Sequence, residues 1–167
     1  DMEISGGSIV NAGSGEEGAA SYKCNAVYAI NELIVTGAEL NATAYSSEGY
    51  PSIYASSLDI GEGSKVTSFC TGGNAIYAQE LNISASEVEA KVVSEFEGQA
   101  AIFCGYYDAA GCEGTISDGS TVTAETTSPY GDAIYSDSRL TIQDSKVIAK
   151  SKDGYAMFAS GYDSDFG

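Results

Sequence analysis

The sequence predicts an all-β fold: a single-stranded, right-handed parallel β-helix (β-solenoid) of about six coils, with three short strands in each coil. Two observations predict this fold. An aromatic block recurs six times along the 167 residues, and short apolar–polar alternations follow its copies. A repeat of roughly two dozen residues built from such short runs cannot bury its own apolar face, so successive copies must stack on one another.

The aromatic block is the first element of the repeat. Its aliphatic residue recurs at positions 27, 53, 76, 102, 134 and 157, in steps of 26, 23, 26, 32 and 23 residues. A glycine precedes five of the six copies, and the first copy has Asn25 instead. The copies read Ala26-Val27-Tyr28-Ala29, Ser52-Ile53-Tyr54-Ala55, Ala75-Ile76-Tyr77-Ala78, Ala101-Ile102-Phe103-Cys104, Ala133-Ile134-Tyr135-Ser136 and Ala156-Met157-Phe158-Ala159.

A paired alternation follows the block, and its period of two predicts strands with one buried face. The residues between the alternations are Gly, Ser, Asp and Asn, which suit tight turns. An antiparallel sandwich also has short strands and frequent turns, but it would not repeat one side-chain order in register. In a solenoid, equivalent residues of successive coils stack about 4.8 Å apart. The clearest copies are Leu81-x-Ile83 with Val88-x-Ala90 and Leu140-x-Ile142 with Val147-x-Ala149.

Residues 1–167 are predicted to form a single parallel β-helix domain. We expect it to be a segment or mature form of a longer protein, because it starts inside a strand pattern and neither end has a polar cap. Seven Lys plus Arg against 24 Asp plus Glu give a net charge of −17, which suits a secreted, soluble surface. This balance disfavours nucleic acid, whose polyphosphate needs clustered Lys and Arg. The sequence has no apolar run of 18 residues, so no membrane-spanning segment is predicted.

The four cysteines are Cys24, Cys70, Cys104 and Cys112, and none forms a CxxC pair that would indicate zinc. Cys104 occupies an inward position of the aromatic block, and Cys112 ends the insertion that lengthens this copy of the repeat. A Cys104–Cys112 disulfide would tie the insertion to the coil and would agree with export. The alternative is four buried free thiols.

The sequence lacks the residues of the common catalytic sites. The chain has no histidine, which excludes Ser-His-Asp and Cys-His catalytic systems and histidine-bearing metal sites. It has one arginine, Arg139. It has no GxGxxG motif and no phosphate-binding loop. The carboxylate pairs Glu87/Glu89 and Asp163/Asp165 are typical of solvated strand and turn surfaces. We therefore predict that the protein is not an enzyme and has no cofactor or metal; calcium at the acidic turns is the weaker alternative.

The best candidate site is a ladder of aromatic residues. Because the aliphatic residue of each block should point inward, strand alternation places the next residue outside. Such a strip suits sugar rings or a protein partner, although stacked rings also stabilise a solenoid by themselves. The predicted ladder is Tyr28, Tyr54, Tyr77, Phe103, Tyr135 and Phe158, extended by Tyr106, Tyr107 and Asp108 of the insertion. Further tyrosines in the preceding turns, Tyr22, Tyr45, Tyr50, Tyr130 and Tyr155, would widen it.

The repeat over Gly73 to Ala90 and Gly131 to Ala149 resembles the parallel β-helix domains of secreted and cell-surface bacterial proteins, including carbohydrate-binding β-helix proteins. That resemblance implies non-catalytic binding of a polysaccharide or a surface protein, sometimes with calcium, at a secreted or cell-surface bacterial location. The acidic calcium clusters of pectin-binding relatives are not recognisable in this sequence. A structural unit of a filament or stalk that self-associates end to end is the alternative function, and a polysaccharide lyase or hydrolase is a third.

Overall fold

The computed structural model describes residues 1–16, 23–46, 49–105 and 113–160, and these residues contain fifteen β-strands and no helix. Within these ranges no helix is long and apolar enough to cross a membrane. The strands are β1 (Met2–Ser5), β2 (Ile9–Ser14), β3 (Val27–Thr36), β4 (Glu39–Ala44), β5 (Ile53–Gly61), β6 (Lys65–Cys70), β7 (Ile76–Ser84), β8 (Glu87–Val92), β9 (Ile102–Cys104), β10 (Glu113–Ser117), β11 (Thr121–Thr126), β12 (Ile134–Ser136), β13 (Arg139–Ile142), β14 (Lys146–Ser151) and β15 (Met157–Ala159).

The strands form two parallel sheets that wind as a β-solenoid. Sheet A has the order β1-β3-β5-β7-β9-β12-β15, with β10 paired to both β7 and β13. Sheet B has the order β2-β4-β6-β8-β11-β14. Each strand therefore pairs with its counterpart one coil away, which excludes the antiparallel sandwich. Six strands stacked at one position span about five turns, close to the six predicted coils. The right-handed sense of the winding stays a prediction.

The register of the strands follows the alignment of the repeat. Ile53 pairs with Ile76, and Ile76 pairs with Ile102, so the aliphatic residues of successive aromatic blocks lie directly above one another. Val66 and Val88 pair in the same way in sheet B. Side chains that repeat in the sequence therefore form continuous columns, as predicted.

The division of each coil into three strands holds only in part of the solenoid. In β3, β5 and β7 the aromatic block and the Leu-x-Ile segment form one strand, with a register shift between Ala29 and Glu32. The two segments separate into β9 and β10 where the insertion lengthens the repeat, and into β12 and β13 in the next coil. The strand that is continuous in β3, β5 and β7 is therefore divided in the coil with the insertion and in the coil after it.

The core is a single cluster of apolar side chains inside the coil, to which both sheets contribute. Ile53, Ile76, Ile102 and Ile134 are fully buried, which confirms that the aliphatic residue of the block faces inward. A second column contains Leu33, Leu58, Leu81 and Leu140. Gly114 interrupts this column, and a Cβ there would lie 3.3 Å from the Sγ of Cys104 and 3.0 Å from Leu140. The thiol thus occupies space that a leucine side chain fills in other coils.

The corner between the two sheets repeats one backbone conformation in every coil. The six residues at this position all have a left-handed φ, between 48° and 65°, although only the first two are glycines. A serine hydroxyl near the corner closes several of these turns; Ser120 Oγ, for example, donates to the carbonyl of Ser117 at 2.6 Å. The left-handed column is Gly6, Gly37, Glu62, Ala85, Asp118 and Asp144.

Candidate functional site

The predicted ring ladder lies on the outside of the coil as one continuous stack. Consecutive ring centroids are 4.9, 5.2, 5.0, 4.9 and 5.4 Å apart, and the rings are within 18° of parallel. The parallel register produces this spacing, because each ring sits one coil from the next. The stack runs in the order Tyr28, Tyr54, Tyr77, Phe103, Tyr135 and Phe158.

Exposure changes along the ladder. Tyr77 and Phe103 are only 7% and 5% exposed and form, with Ala100, a small apolar cluster separate from the inner core. Tyr54 and Tyr135 pack against this cluster from either side. Tyr28, at the first end of the stack, is 55% exposed. The middle of the ladder therefore packs like a second, minor core, and Tyr28 at its first end has the larger exposed ring surface.

The stacked geometry also determines which ring surfaces are accessible. Rings about 5 Å apart and nearly parallel cover one another's faces, so within the ladder only edges and phenol groups point outward. The apolar face of a sugar packs against the face of an aromatic ring rather than its edge. A ladder residue such as Tyr77 is therefore a poor platform for a sugar, although the sequence alone predicts it as one.

Two turn tyrosines provide the accessible ring surface that the middle of the ladder lacks. Tyr130 is 71% and Tyr155 is 65% exposed, and Tyr155 also stacks on Phe158 with a centroid distance of 5.5 Å. They line an open groove of about 620 Å³ together with Asp132, Tyr135, Asp153, Gly154 and Phe158. A smaller groove of about 290 Å³ continues from Tyr130 and Asp132 to Ala100 and Phe103. We call the larger one the C-terminal groove.

Tyr130 has a backbone conformation that glycine adopts at the equivalent position of two other coils. Tyr130 has φ of 55°, and two equivalent residues four positions before the aliphatic residue are glycines with φ of 83° and 73°, Gly49 and Gly98. A left-handed φ is unfavourable for a bulky residue, by about 1–2 kcal/mol. The next residue, Gly131, approaches so closely that a Cβ would overlap the carbonyl oxygen of Gln99. The coil thus places a tyrosine where glycine is the less strained choice.

A side-chain to backbone hydrogen bond fixes the floor of the groove. Asp132 Oδ1 accepts a hydrogen bond from the backbone N–H of Tyr155 at 2.7 Å. Two coils earlier, Asn74 Oδ1 accepts from Ala100 N at 2.7 Å at the equivalent position of the repeat. An Asp or Asn at this position therefore ties one coil to the next. In the groove it also leaves a carboxylate, rather than a neutral amide, beside the rings.

The second carboxylate of the groove has a cation beside it. The Nζ of Lys152 lies 3.8 Å from Asp153 Oδ2, and both side chains are largely exposed. Exposed pairs of this geometry contribute little, about 0–1 kcal/mol, and salt screens them. Lys152 therefore neutralises Asp153 only weakly, and an external ligand can compete for this carboxylate.

Several residues predicted for the site lie outside the described residues. They are Tyr106, Tyr107, Asp108, Cys112 and the turn residue Tyr22. Cys104 is fully buried, as expected for an inward position, and its Sγ lies 3.8 Å from the carbonyl oxygen of Gln79. The Cys104–Cys112 disulfide stays a prediction. Tyr45 packs edge-on against Phe69 of sheet B with centroids 6.0 Å apart, so it does not widen the ladder.

Carboxylates elsewhere on the coil do not converge on the ladder. Glu87 and Glu89 point outward from β8 and are exposed. Hydrogen bonds from the Ser84 and Ser117 hydroxyls lower the pKa of Asp118, and the hydrogen bond and charge of Lys150 lower the pKa of Glu125. A polar groove of about 390 Å³ on sheet A contains Asp59, Glu80 and Glu113 but no aromatic residue. Within the described ranges, no group of three or more Cys, Asp or Glu residues is arranged to hold a metal ion.

Comparison of the chain with protein-family models, with curated proteins and with solved structures finds no match.

Proposed function

We propose that this protein is a non-catalytic, secreted or surface-exposed module that binds a glycan at the C-terminal groove, where the turn tyrosines Tyr130 and Tyr155 flank one end of the outward aromatic ladder. The observation that carries this proposal is the exposure of Tyr130 and Tyr155. Their rings are 71% and 65% exposed and stand beside Asp132 and Asp153 in one groove. Exposed aromatic surface next to polar acceptors is the combination that binds a sugar, whose ring has an apolar face and a rim of hydroxyls.

The solenoid supports this role by holding the site rigid. The coil after Tyr130 is hydrogen-bonded to its neighbour through Asp132 and Tyr155, and Ser128 Oγ accepts from the backbone N–H of Gln99 at 2.9 Å. Tyrosine itself has few rotatable bonds, so little conformational entropy is lost when it contacts a ligand. A pre-organised site of this kind suits weak ligands such as sugars, because ordering costs are small.

The location and the lack of turnover belong to the same proposal. A net charge of −17 favours a soluble protein in an extracellular medium. The chain has no histidine, and the exposed pair Glu87 and Glu89 lies on sheet B rather than in the groove. We therefore expect bound glycans to be recovered uncleaved after long incubation.

A glycan-binding assay with paired tyrosine variants tests the proposal. The protein is screened on a glycan array, and the hits are quantified by calorimetry with Tyr130→Ala and Tyr155→Ala. We expect each variant to weaken binding by about tenfold or more, since an aromatic contact contributes roughly 1–2 kcal/mol. Tyr28→Ala is the matched control, because it removes another exposed ring at the opposite end of the ladder and should bind normally. Absence of any hit, or equal losses in all three variants, would contradict the proposal.

Burial of the middle rings favours a second candidate function, a structural unit of a stalk or filament. Tyr77 and Phe103 are 7% and 5% exposed, which is the environment of rings that stabilise a solenoid rather than bind a ligand. A unit of this kind that stacks end to end would form rods whose length increases with protein concentration. Analytical ultracentrifugation and negative-stain electron microscopy distinguish this behaviour from that of a monomeric binding module.

A further inference from the structure

We propose that the C-terminal groove selects glycans that carry protonated amino groups, such as polymers of glucosamine, over neutral and uronic-acid glycans. This inference rests on the proposed function, because it names the ligand class of the same site. It follows from the charges of the groove: the described residues that line it include two carboxylates, Asp132 and Asp153, and no cation. The ammonium of Lys152, which precedes Asp153 in the chain, lies 3.8 Å from the Asp153 carboxylate.

The rings of the groove favour a cation as well as a sugar. An ammonium group within about 6 Å of an aromatic face is attracted by the negative potential of the ring, and Tyr is among the better partners. Tyr130 and Tyr155 are the two lining residues with the largest exposed ring surface. A glucosamine unit can therefore contact the rings favourably both through its apolar ring face and through its ammonium group. An N-acetylated unit can do so only through its apolar ring face.

Asp132 is the carboxylate best placed to receive the amine. Its Oδ1 accepts the backbone N–H of Tyr155 at 2.7 Å, which fixes this lining side chain against the next coil. Among the described residues, no donor contacts its second oxygen, Oδ2. A bound ammonium at that oxygen would form a charge-assisted hydrogen bond, which is stronger than the bond a sugar hydroxyl would form.

Asp153 provides the second negative charge, and Lys152 is its internal competitor. Their separation of 3.8 Å, with both side chains exposed, indicates a loose pair that a ligand ammonium can replace. The whole-protein charge of −17 acts in the same direction, since it concentrates cationic ligands and repels uronates. Selection by charge is therefore expected from both the groove and the molecule.

Three oligosaccharide probes of equal length test the inference: glucosamine oligomers, N-acetylglucosamine oligomers and galacturonic acid oligomers. Binding is measured by calorimetry at pH 5.5 and low salt, where the amines are protonated. We expect the glucosamine oligomer to bind at least about tenfold more tightly than the N-acetylated one. The galacturonate should bind least. Raising the salt concentration should weaken glucosamine binding selectively.

Matched variants locate the selectivity. Asp132→Asn removes the charge and keeps an oxygen for the Tyr155 N–H, as Asn74 does for Ala100 in an earlier coil. This variant, and Asp153→Asn, should lose most of the preference for glucosamine and bind the N-acetylated oligomer unchanged. Lys152→Gln should bind glucosamine more tightly, because it removes the competitor of Asp153. Glu89→Gln removes one charge from sheet B and is the control, with no change expected.

The outcomes separate this inference from the proposed function. Equal binding of the glucosamine and N-acetylglucosamine oligomers, or a preference that survives in Asp132→Asn and Asp153→Asn, overturns selection of amines and leaves glycan binding standing. Tighter binding of other neutral glycans than of glucosamine oligomers has the same meaning. Failure to bind any probe or any glycan of the array overturns both.

Discussion

The middle of the ring ladder and its C-terminal part have the same stacking geometry and different surroundings. Tyr77 and Phe103 lie 5.0 Å apart and within 4° of parallel, and Tyr135 and Phe158 lie 5.4 Å apart and within 18°. The first pair is almost fully buried beside Ala100, whereas the second pair borders an open groove. Stacking itself therefore does not mark a binding site. The difference is made by the turn residues that flank the ladder.

The residue two positions before the aliphatic residue controls this difference. In the middle coil it is Ala100, whose small side chain packs into the ring cluster. In the following coils the equivalent residues are Asp132 and Tyr155, which are polar or exposed and line the groove. One column of the repeat thus closes the ladder in one coil and opens a site beside it in the next two.

The largest expected effect comes from removing a ring of the middle pair. Phe103→Ala should lower the free energy of unfolding by about 3–5 kcal/mol, because it deletes a buried ring and leaves a cavity between Tyr77 and Tyr135. Phe158→Ala, at a half-buried ring of the last described coil, should lower it by less than half as much. Urea unfolding followed by circular dichroism measures both. Equal losses would mean that the two parts of the ladder do not differ in packing.

A second prediction concerns a feature that both regions share, a glycine at which two coils approach closely. Gly131→Ala should destabilise by about 1–3 kcal/mol, because a Cβ there would overlap the carbonyl oxygen of Gln99. Gly73→Ala should cost a similar amount in the middle region, where a Cβ would overlap the backbone of Tyr50. Gly61→Ala is the control, since nothing lies within 4 Å of its Cβ position. Thermal unfolding in which all three variants match the unmodified protein would show that the coils can move apart.

The repeat of one side-chain order predicts the parallel fold and the columns, and period-two alternation within the repeat predicts the inward direction of residues such as Ile76. The burial of Tyr77 was not predictable in the same way, because it depends on Ala100 in the next coil. The sequence also does not distinguish the two roles of the glycines before the aromatic block. Gly98 has a left-handed φ of 73°, whereas Gly131 permits close approach of two coils. The sequence does distinguish Tyr130, since it occupies a position where three other coils have glycine, Gly49, Gly72 and Gly98, but this is visible only when the coils are aligned.

Tyr130 allows stability and binding to be separated in the C-terminal part. Tyr130→Gly relieves the left-handed strain at φ of 55° and increases the entropy of the unfolded chain, two effects of about 1 kcal/mol and opposite sign. We expect the free energy of unfolding to change by less than about 1 kcal/mol, while glycan binding falls as far as in Tyr130→Ala. Denaturant unfolding and calorimetry are run on the same samples. A strongly destabilised Tyr130→Gly would mean that the ring supports the fold and not the groove.

The smallest expected effect is a pH dependence that lies outside the groove. Glu125 Oε1 is 2.6 Å from the Nζ of Lys150, and this hydrogen bond lowers the pKa of Glu125 from its ordinary value near 4.5. A carboxyl whose pKa is lower in the folded state stabilises the protein above its unfolded pKa, and this contribution is lost as the pH falls through the folded value. Because the pair is exposed, the loss should stay below about 1 kcal/mol and diminish in high salt.

The contribution of the Glu125–Lys150 pair is measured by comparing unfolding free energies at pH 6 and pH 3 in Lys150→Gln and in the unmodified protein. The unfolding free energy of the variant should decrease less between these two pH values. Since the decrease occurs below pH 4.5, the stability change from Glu125 does not contribute to glycan binding measured at pH 5.5. A loss of glucosamine binding between pH 5.5 and pH 8 would then report the ligand amine and not the fold. An equal pH dependence in Lys150→Gln would mean that other carboxyls, and not the Glu125–Lys150 pair, cause the decrease in stability.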